Sequence, residues 1–230
     1  LPYYQYKNQT ILKKNANFGP QISQAERCIS TSVIQSYSRC HAQGFLQHRL
    51  SIQTHKKSSY GVDSVDVGIL VHDLLATFDD ISSEKLPEKS DCEKKINTLL
   101  RQTPRYRYFT ALQKNTLSIH VLKLFYQWMD YRIQAHKDDH IIKSQHELAL
   151  EKDLFGITFK IRLDRIDQYP DQSYRIIDYK TGLTQRSHWL NIPIQNPQLI
   201  IYALCLSNVA SIAYASLHPD QFGYSGYGQF

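Results

Sequence analysis

Cysteine is scarce and scattered in this 230-residue chain: Cys28, Cys40, Cys92 and Cys205 form no CxxC pair and no dense framework. Neither a zinc ribbon nor a disulfide scaffold is expected from four such residues, and a reducing compartment suits them better. No stretch approaches the ~20 apolar residues needed to cross a bilayer, so no transmembrane protein is expected. GxxxxGK[ST] is missing, and with it any ATP site or ATP-driven motor in this chain. Repeats, long low-complexity tracts and a secretory signal are missing too. The chain opens at Leu1, which reads as a piece excised from a longer polypeptide. What remains is a chain long enough to bury roughly 70% of its unfolded surface in one core, with no staple required.

Basic residues outnumber acidic ones, 27 to 21, for a net charge of +6, a mild pointer to polyanionic partners. Residues 1–22 are polar and aromatic without a sustained period, and read as a leader or linker. The rest, 23–230, reads as one domain, helical over about 23–143 and sheet-forming over about 144–217. Helical spacing runs from Ser30 to Leu50, with Thr31 or Ser32 as cap, and more clearly from Asp66 to Phe78. There Val67, Leu70, Val71, Leu74, Leu75 and Phe78 make one apolar stripe. Residues 82–95 are charged and broken by proline, and read as a connection before a further helix over 110–135.

From about Glu147 the period changes to alternation. Ile157, Phe159, Ile161 and Leu163 share one strand face, and Thr158, Lys160, Arg162 and Asp164 the other. The stretch is one strand, or two broken at Gly156; Tyr169–Ser173 carries turn residues, and Tyr174–Thr181 is the next strand. Pro197 suits the first turn of a helix reaching Leu206; Ser211–Leu217 is a last strand, and the glycine- and tyrosine-rich tail reads as irregular. Helices followed by a hairpin, a helix and a strand predict an α/β layered fold.

A hairpin turning near Asp171 pairs residues whose numbers sum to about 342. Asp164 then opposes Asp178, and Asp167 meets Arg175 with complementary charge. Opposed carboxylates on a sheet repel. A divalent cation between them removes the penalty, and magnesium favours one or two carboxylates together with a phosphate. Alternation puts Lys180 on the face of Asp178, so two carboxylates and an ammonium converge. Ordinary surface charges on an exposed hairpin face would give the same spacing.

These segments, LDRID around Asp164, IIDYKTG around Asp178 and QLIIYAL from Gln198, resemble the nuclease motifs of the RecB-like branch of the PD-(D/E)XK superfamily. GILVHDLL resembles that branch's GxxxH helix, and STSVIQSYSRC its opening helix. The likeness is nearest to AddB-like C-terminal nuclease domains of DNA repair proteins. It implies a restriction-endonuclease-like core, a mixed sheet flanked by helices, with an N-terminal helical region. It further implies that His72, Asp164, Asp178 and the Tyr179 carbonyl hold Mg2+ or Mn2+, with Lys180 positioning the attacking water. Gln198 and Tyr202 would support the site or contact DNA. Glu147 reads either as a peripheral acid of the site or as an exposed strand-end charge. Ile161 stands where the branch often has glycine. Many AddB-like relatives hold an iron–sulfur cluster on four cysteines; only Cys40 and Cys205 suit those places, so no cluster is expected.

The implied function is a metal-dependent DNA exonuclease or other phosphodiester hydrolase of DNA repair and recombination, in a bacterial cytoplasm, with a helicase as possible partner. A non-catalytic DNA-binding or partner-docking domain is the alternative, and metal-dependent RNA hydrolysis is a third reading. Arg105 and Arg107, interleaved with Tyr106 and Tyr108, suit a groove that tracks single-stranded or duplex-end DNA without reading sequence.

Overall fold

The structure is a computed structural model that describes residues 23, 27–52, 61–79, 85–135, 140–183 and 192–228. In chain order come β1 (Cys28–Ser30), α1 (Thr31–Arg39) and α2 (His41–Gly44), which runs on as a wider π turn over Phe45–Arg49. Then follow α3 (Ser64–Phe78), α4 (Lys89–Gln102), α5 (Ala111–Ala135), β2 (Lys143–Leu154), β3 (Ile157–Gln168) and β4 (Tyr174–Lys180). The chain closes with α6 (Gln198–Cys205), β5 (Val209–Ser216) and β6 (Gly223–Tyr227). The leader expected over 1–22 lies outside the described residues.

Asp63 starts α3. Its carboxylate accepts the Asp66 N–H at 3.0 Å while the Asp66 carboxylate accepts the Asp63 N–H at 2.9 Å, a reciprocal cap that satisfies two helix-end donors. The apolar stripe behind it packs on α4, α5 and one face of the sheet through Ile177, Tyr179, Ala215 and Leu217. The connection expected over 82–95 is corrected from Lys89 onward: α4 is a helix that buries Cys92, Ile96 and Leu100. Those three are spaced by four on one edge, and the acids and lysines that suggested a loop are its wet face. The opposite sheet face packs on α6 and, through Ile34, on α1, which makes three layers. The helix expected over Ser30–Leu50 is broken at Cys40, which is extended.

The sheet runs β1-β3-β4-β5-β6, with β2 paired to β3. Because β2 lies along the whole of one β3 edge, β1 and β4 share the other edge, β1 at Thr158–Lys160 and β4 at Arg165–Gln168. The expected register holds, with Asp167 opposite Arg175 and Arg165 opposite Ile177. There the ladder ends, so Asp164 and Asp178 are not a cross-strand pair: β4 leaves β3 and continues beside β5 to Lys180. The tail expected to be irregular contains β6, antiparallel to β5. Gly223 and Gly226, like Tyr224 and Tyr227, stand three apart, which hides the period of two.

Phe155 and Gly156 form the two-residue turn between β2 and β3, with φ of 54° and 77°. Positive φ at both positions is the geometry that asparagine-glycine favours, and a bulky residue is strained there. Beneath the fork of β3 and β4 lies a dry ionic network. The fully buried Arg165 holds Asp79 and Asp167, each at 2.7 Å; Asp167 also meets Arg175 at 2.9 Å, and Asp79 meets Arg132 at 2.9 Å. Burial alone would raise the Asp167 carboxyl, but the two guanidiniums hold it below the usual carboxylate range.

Two outcomes follow from these contacts. Phe155→Asn should stabilise the protein by about 1 kcal/mol, a gain of roughly 2–4 °C in Tm, because 93% of Phe155 is exposed and no packing is lost. A lower Tm in a thermal melt would contradict the strain. Arg165→Met should cost about 3–5 kcal/mol in urea unfolding, since it leaves two buried carboxylates short of a partner. A loss under about 1 kcal/mol would show that the network does not hold the fork together.

Candidate active site

Where β4 parts from β3, the Tyr179 N–H has lost its ladder partner, and the Asp164 carboxylate accepts it at 2.9 Å. The chain bends at this point. Leu163 and Ile166 both face the α6 layer, while Arg165 between them points to Asp79 on the other side, so alternation slips by one beside Asp164. On the neighbouring strand, His146 faces Arg165 and Leu148 faces Leu163, but the residue between them, Glu147, drops out of the pairing with φ of 52°. This irregularity brings the Glu147 carboxylate to the side of Asp164.

The α3 helix supplies the imidazole. His72 Nε2 lies 3.0 Å from the Tyr179 carbonyl oxygen, and its Nδ1 lies 3.5 Å from the Asp164 carboxylate. Gly68, one turn earlier, allows that approach: a Cβ there would stand 3.3 Å from the Thr181 hydroxyl, just after β4. Ligand atoms of His72, Glu147 and Asp164 all fall within 4.8 Å of one another. One imidazole, two carboxylates and an adjacent backbone carbonyl form an oxygen-rich donor set that suits a hard divalent cation.

Asp178 stands beside this group but is turned to the α6 side. Its carboxylate contacts the Lys180 ammonium and accepts the Gln198 amide N–H at 2.6 Å. The same amide nitrogen donates to the Tyr202 hydroxyl at 2.9 Å, and Lys180 donates to the Gln198 carbonyl at 3.4 Å. Burial pushes the Tyr202 phenol up to about 12, so it stays protonated at neutral pH. Burial first, and then the charge of Asp178, raise the Asp164 carboxyl to about 6, although His72, the Tyr179 N–H and Lys180 pull the other way. A carboxylate held this reluctantly in its charged form gains from a cation.

His72, Asp164, Tyr179, Asp178, Lys180, Gln198 and Tyr202 therefore meet at one fork. Glu147, left open between two readings in the sequence, lies inside the group. The hairpin arithmetic that paired β3 with β4 would have found it, because a turn at Phe155–Gly156 sets Glu147 opposite Asp164. The basic-aromatic run is divided by the fold. Tyr106 is fully buried, with no ring face left for a base, and Arg105 is tied to Asp63 and Asp66 at the start of α3. Of the four residues assigned to DNA binding, only Arg107 and Tyr108 remain exposed and uncommitted to the α3 cap.

Residues 28–221 match the sequence model of the PD-(D/E)XK nuclease superfamily. A protein of Clostridium perfringens strain SM101, named as a subunit of an ATP-dependent helicase/deoxyribonuclease, is 28% identical over 184 residues, covering 67% of this chain and 15% of that protein. The protein of the same name from Clostridium tetani is 25% identical over 184 residues, with the same coverage. The chain thus spans about 15% of the length of the curated relatives it matches. A solved structure from Eubacterium rectale is 16% identical, covers 92% of this chain and 79% of that one, and gives a TM-score of 0.45.

The raised Asp164 carboxyl has a pH signature. The folded state holds a proton that the unfolded chain releases near pH 3.8, so metal-free stability should fall as pH rises from about 4 to about 6 and then level off. Asp164→Asn should remove this cost. In chelator at pH 7.5 the variant should be more stable than wild type by about 1–3 kcal/mol, and the advantage should vanish by pH 4. A variant less stable at pH 7.5 in urea titrations would refute the strained carboxylate.

Proposed function

Because the chain belongs to the PD-(D/E)XK nuclease superfamily, we propose that the fork of β3 and β4 is the active site of a divalent-metal-dependent deoxyribonuclease. The observation that carries this reading is the meeting of His72, Glu147 and Asp164 within 4.8 Å, beside the Tyr179 carbonyl. His72, Asp164 and that carbonyl would hold Mg2+ or Mn2+, with Glu147 and Asp178 as the flanking carboxylates. A cation bound there supplies positive charge to a phosphodiester and lowers the pKa of water.

The chain's own groups do the rest. The Lys180 ammonium, anchored between Asp178 and Gln198, orients the attacking water and offsets charge that builds on the phosphate. Gln198 spans Asp178 and Tyr202, so α6 fixes the direction of the Asp178 carboxylate. Water adds to phosphorus as the P–O bond opposite it breaks, and the departing oxygen takes up a proton. The named activity of the Clostridium proteins supports DNA as the substrate and a helicase as the companion activity. DNA repair and recombination in a bacterial cytoplasm is the setting proposed for it. Among the described residues no helix is long and apolar enough to cross a membrane.

The test uses a labelled single-stranded oligonucleotide with Mn2+ or Mg2+. Wild type should cleave it, chelator should stop cleavage, and Asp178→Ala and Lys180→Ala should each lower the rate by about 100-fold or more. Wild-type cleavage by both variants would refute the site assignment.

A further inference from the structure

The helical half of the molecule leaves a second open surface, on elements that carry none of the site residues. A groove of about 850 Å³ runs between α4 and α5, lined by positions 89, 93, 97 and 101 of α4 and by positions from Ala111 to Tyr126 of α5. The four α4 positions are spaced by four, so they form one edge of that helix, about 18 Å long from Lys89 to Arg101. The two helices are antiparallel: the Tyr126 hydroxyl, well along α5, donates at 3.0 Å to the Pro87 carbonyl, just before α4 begins. Leu100 and Leu122 give the groove a buried apolar floor, while Ile119, in the α5 wall, is 60% exposed.

The charged residues of the lining are Lys89, Arg101, Lys114, Lys123 and a single acid, Glu93. Glu93 already faces Lys89 at 3.6 Å, and Asp91, outside the lining in the first turn of α4, is held by Lys94 at 2.9 Å. Arg101, Lys114 and Lys123 have no carboxylate partner among the described residues. Three uncompensated cations therefore border an apolar floor. We propose that the α4–α5 groove is the docking site of an acidic amphipathic helix from a partner protein. A third helix of about twelve residues spans the groove from end to end. Its aliphatic residues at i, i+3, i+4 and i+7 cover Ile119 and Leu122, and acids on its flanks meet Arg101, Lys114 and Lys123. A phosphate backbone would meet the same cations but brings no apolar side chain to cover Ile119. The proposal stands independently of the hydrolytic reading of the fork.

The experiment measures binding of labelled peptides by fluorescence anisotropy. The probe is a designed peptide of about 16 residues, stapled because so short a helix is marginal in water, with leucines on one stripe and glutamates on both flanks. Its controls are a scramble of the same composition, in which the leucines share no face, and a copy with lysine for every glutamate. Wild type should bind the acidic helix at least about tenfold more tightly than either control. Ile119→Ser, at an exposed position that should leave the melting temperature nearly unchanged, should weaken the acidic helix by about fivefold. Lys114→Glu/Lys123→Glu should weaken it by about tenfold and strengthen the lysine copy by about as much. Equal affinity for the acidic helix and its scramble, or no binding of either, would overturn the proposal. So would a loss of duplex DNA binding in Lys114→Glu/Lys123→Glu without any preference among the peptides, which would make the groove a phosphate track. A dimer in sedimentation that Ile119→Ser abolishes would give the groove to a second copy of the chain and overturn it as well.

Discussion

One missing hydrogen bond organises this molecule. After Arg165 faces Ile177, β4 abandons β3 to stay with β5, and the Tyr179 N–H needs an acceptor that the ladder no longer supplies. A buried backbone donor left alone is costly, so the Asp164 carboxylate takes its place. That substitution turns the Asp164 carboxylate toward the fork and leaves the Tyr179 carbonyl within reach of His72. The geometry that suits a cation is therefore a consequence of how two strands part.

Holding a fork open requires rigidity beneath it. Arg165, one residue beyond Asp164, is locked between Asp79 at the end of α3 and Asp167 farther along β3, while the Tyr179 hydroxyl donates to Asp79 at 2.8 Å. One network thus ties together the helix that carries His72, the strand that carries Asp164 and the strand that carries Asp178. Buried charges of this kind are poor sources of stability compared with apolar packing, yet they punish misplacement severely. At the fork they serve position. The Asp164 carboxyl, buried and held near a charge of its own sign, shows the opposite economy: a group kept uncomfortable in the fold so that it has use for a positive partner.

Much of this was legible in the residues and some was not. The alternation of Ile157, Phe159, Ile161 and Leu163, the facing of Asp167 and Arg175, and the contact of Lys180 with Asp178 all follow from a period of two and a short turn. Helix α4 escaped because its three buried residues are diluted among charges, and burial, not composition, distinguishes its two faces. The run around Tyr106 was misleading for the reverse reason. Alternating arginine and tyrosine suggest an exposed binding strip, but a tight turn before α5 sends the tyrosine into the core and Arg105 back to Asp63 and Asp66.

Local pattern determined β2 to β5, the register of β3 on β4, the stripe on α3 and the set of residue types that gather at the site, because each depends only on neighbours a few positions away. Tertiary structure alone decided that Asp164 and Asp178 meet as neighbours across a fork and not as rungs of a ladder, and that Gly68 lets α3 settle against Thr181. Those outcomes depend on where β5 draws β4 aside and on how closely a helix from the first half of the chain can approach. No spacing along the chain encodes such a distance.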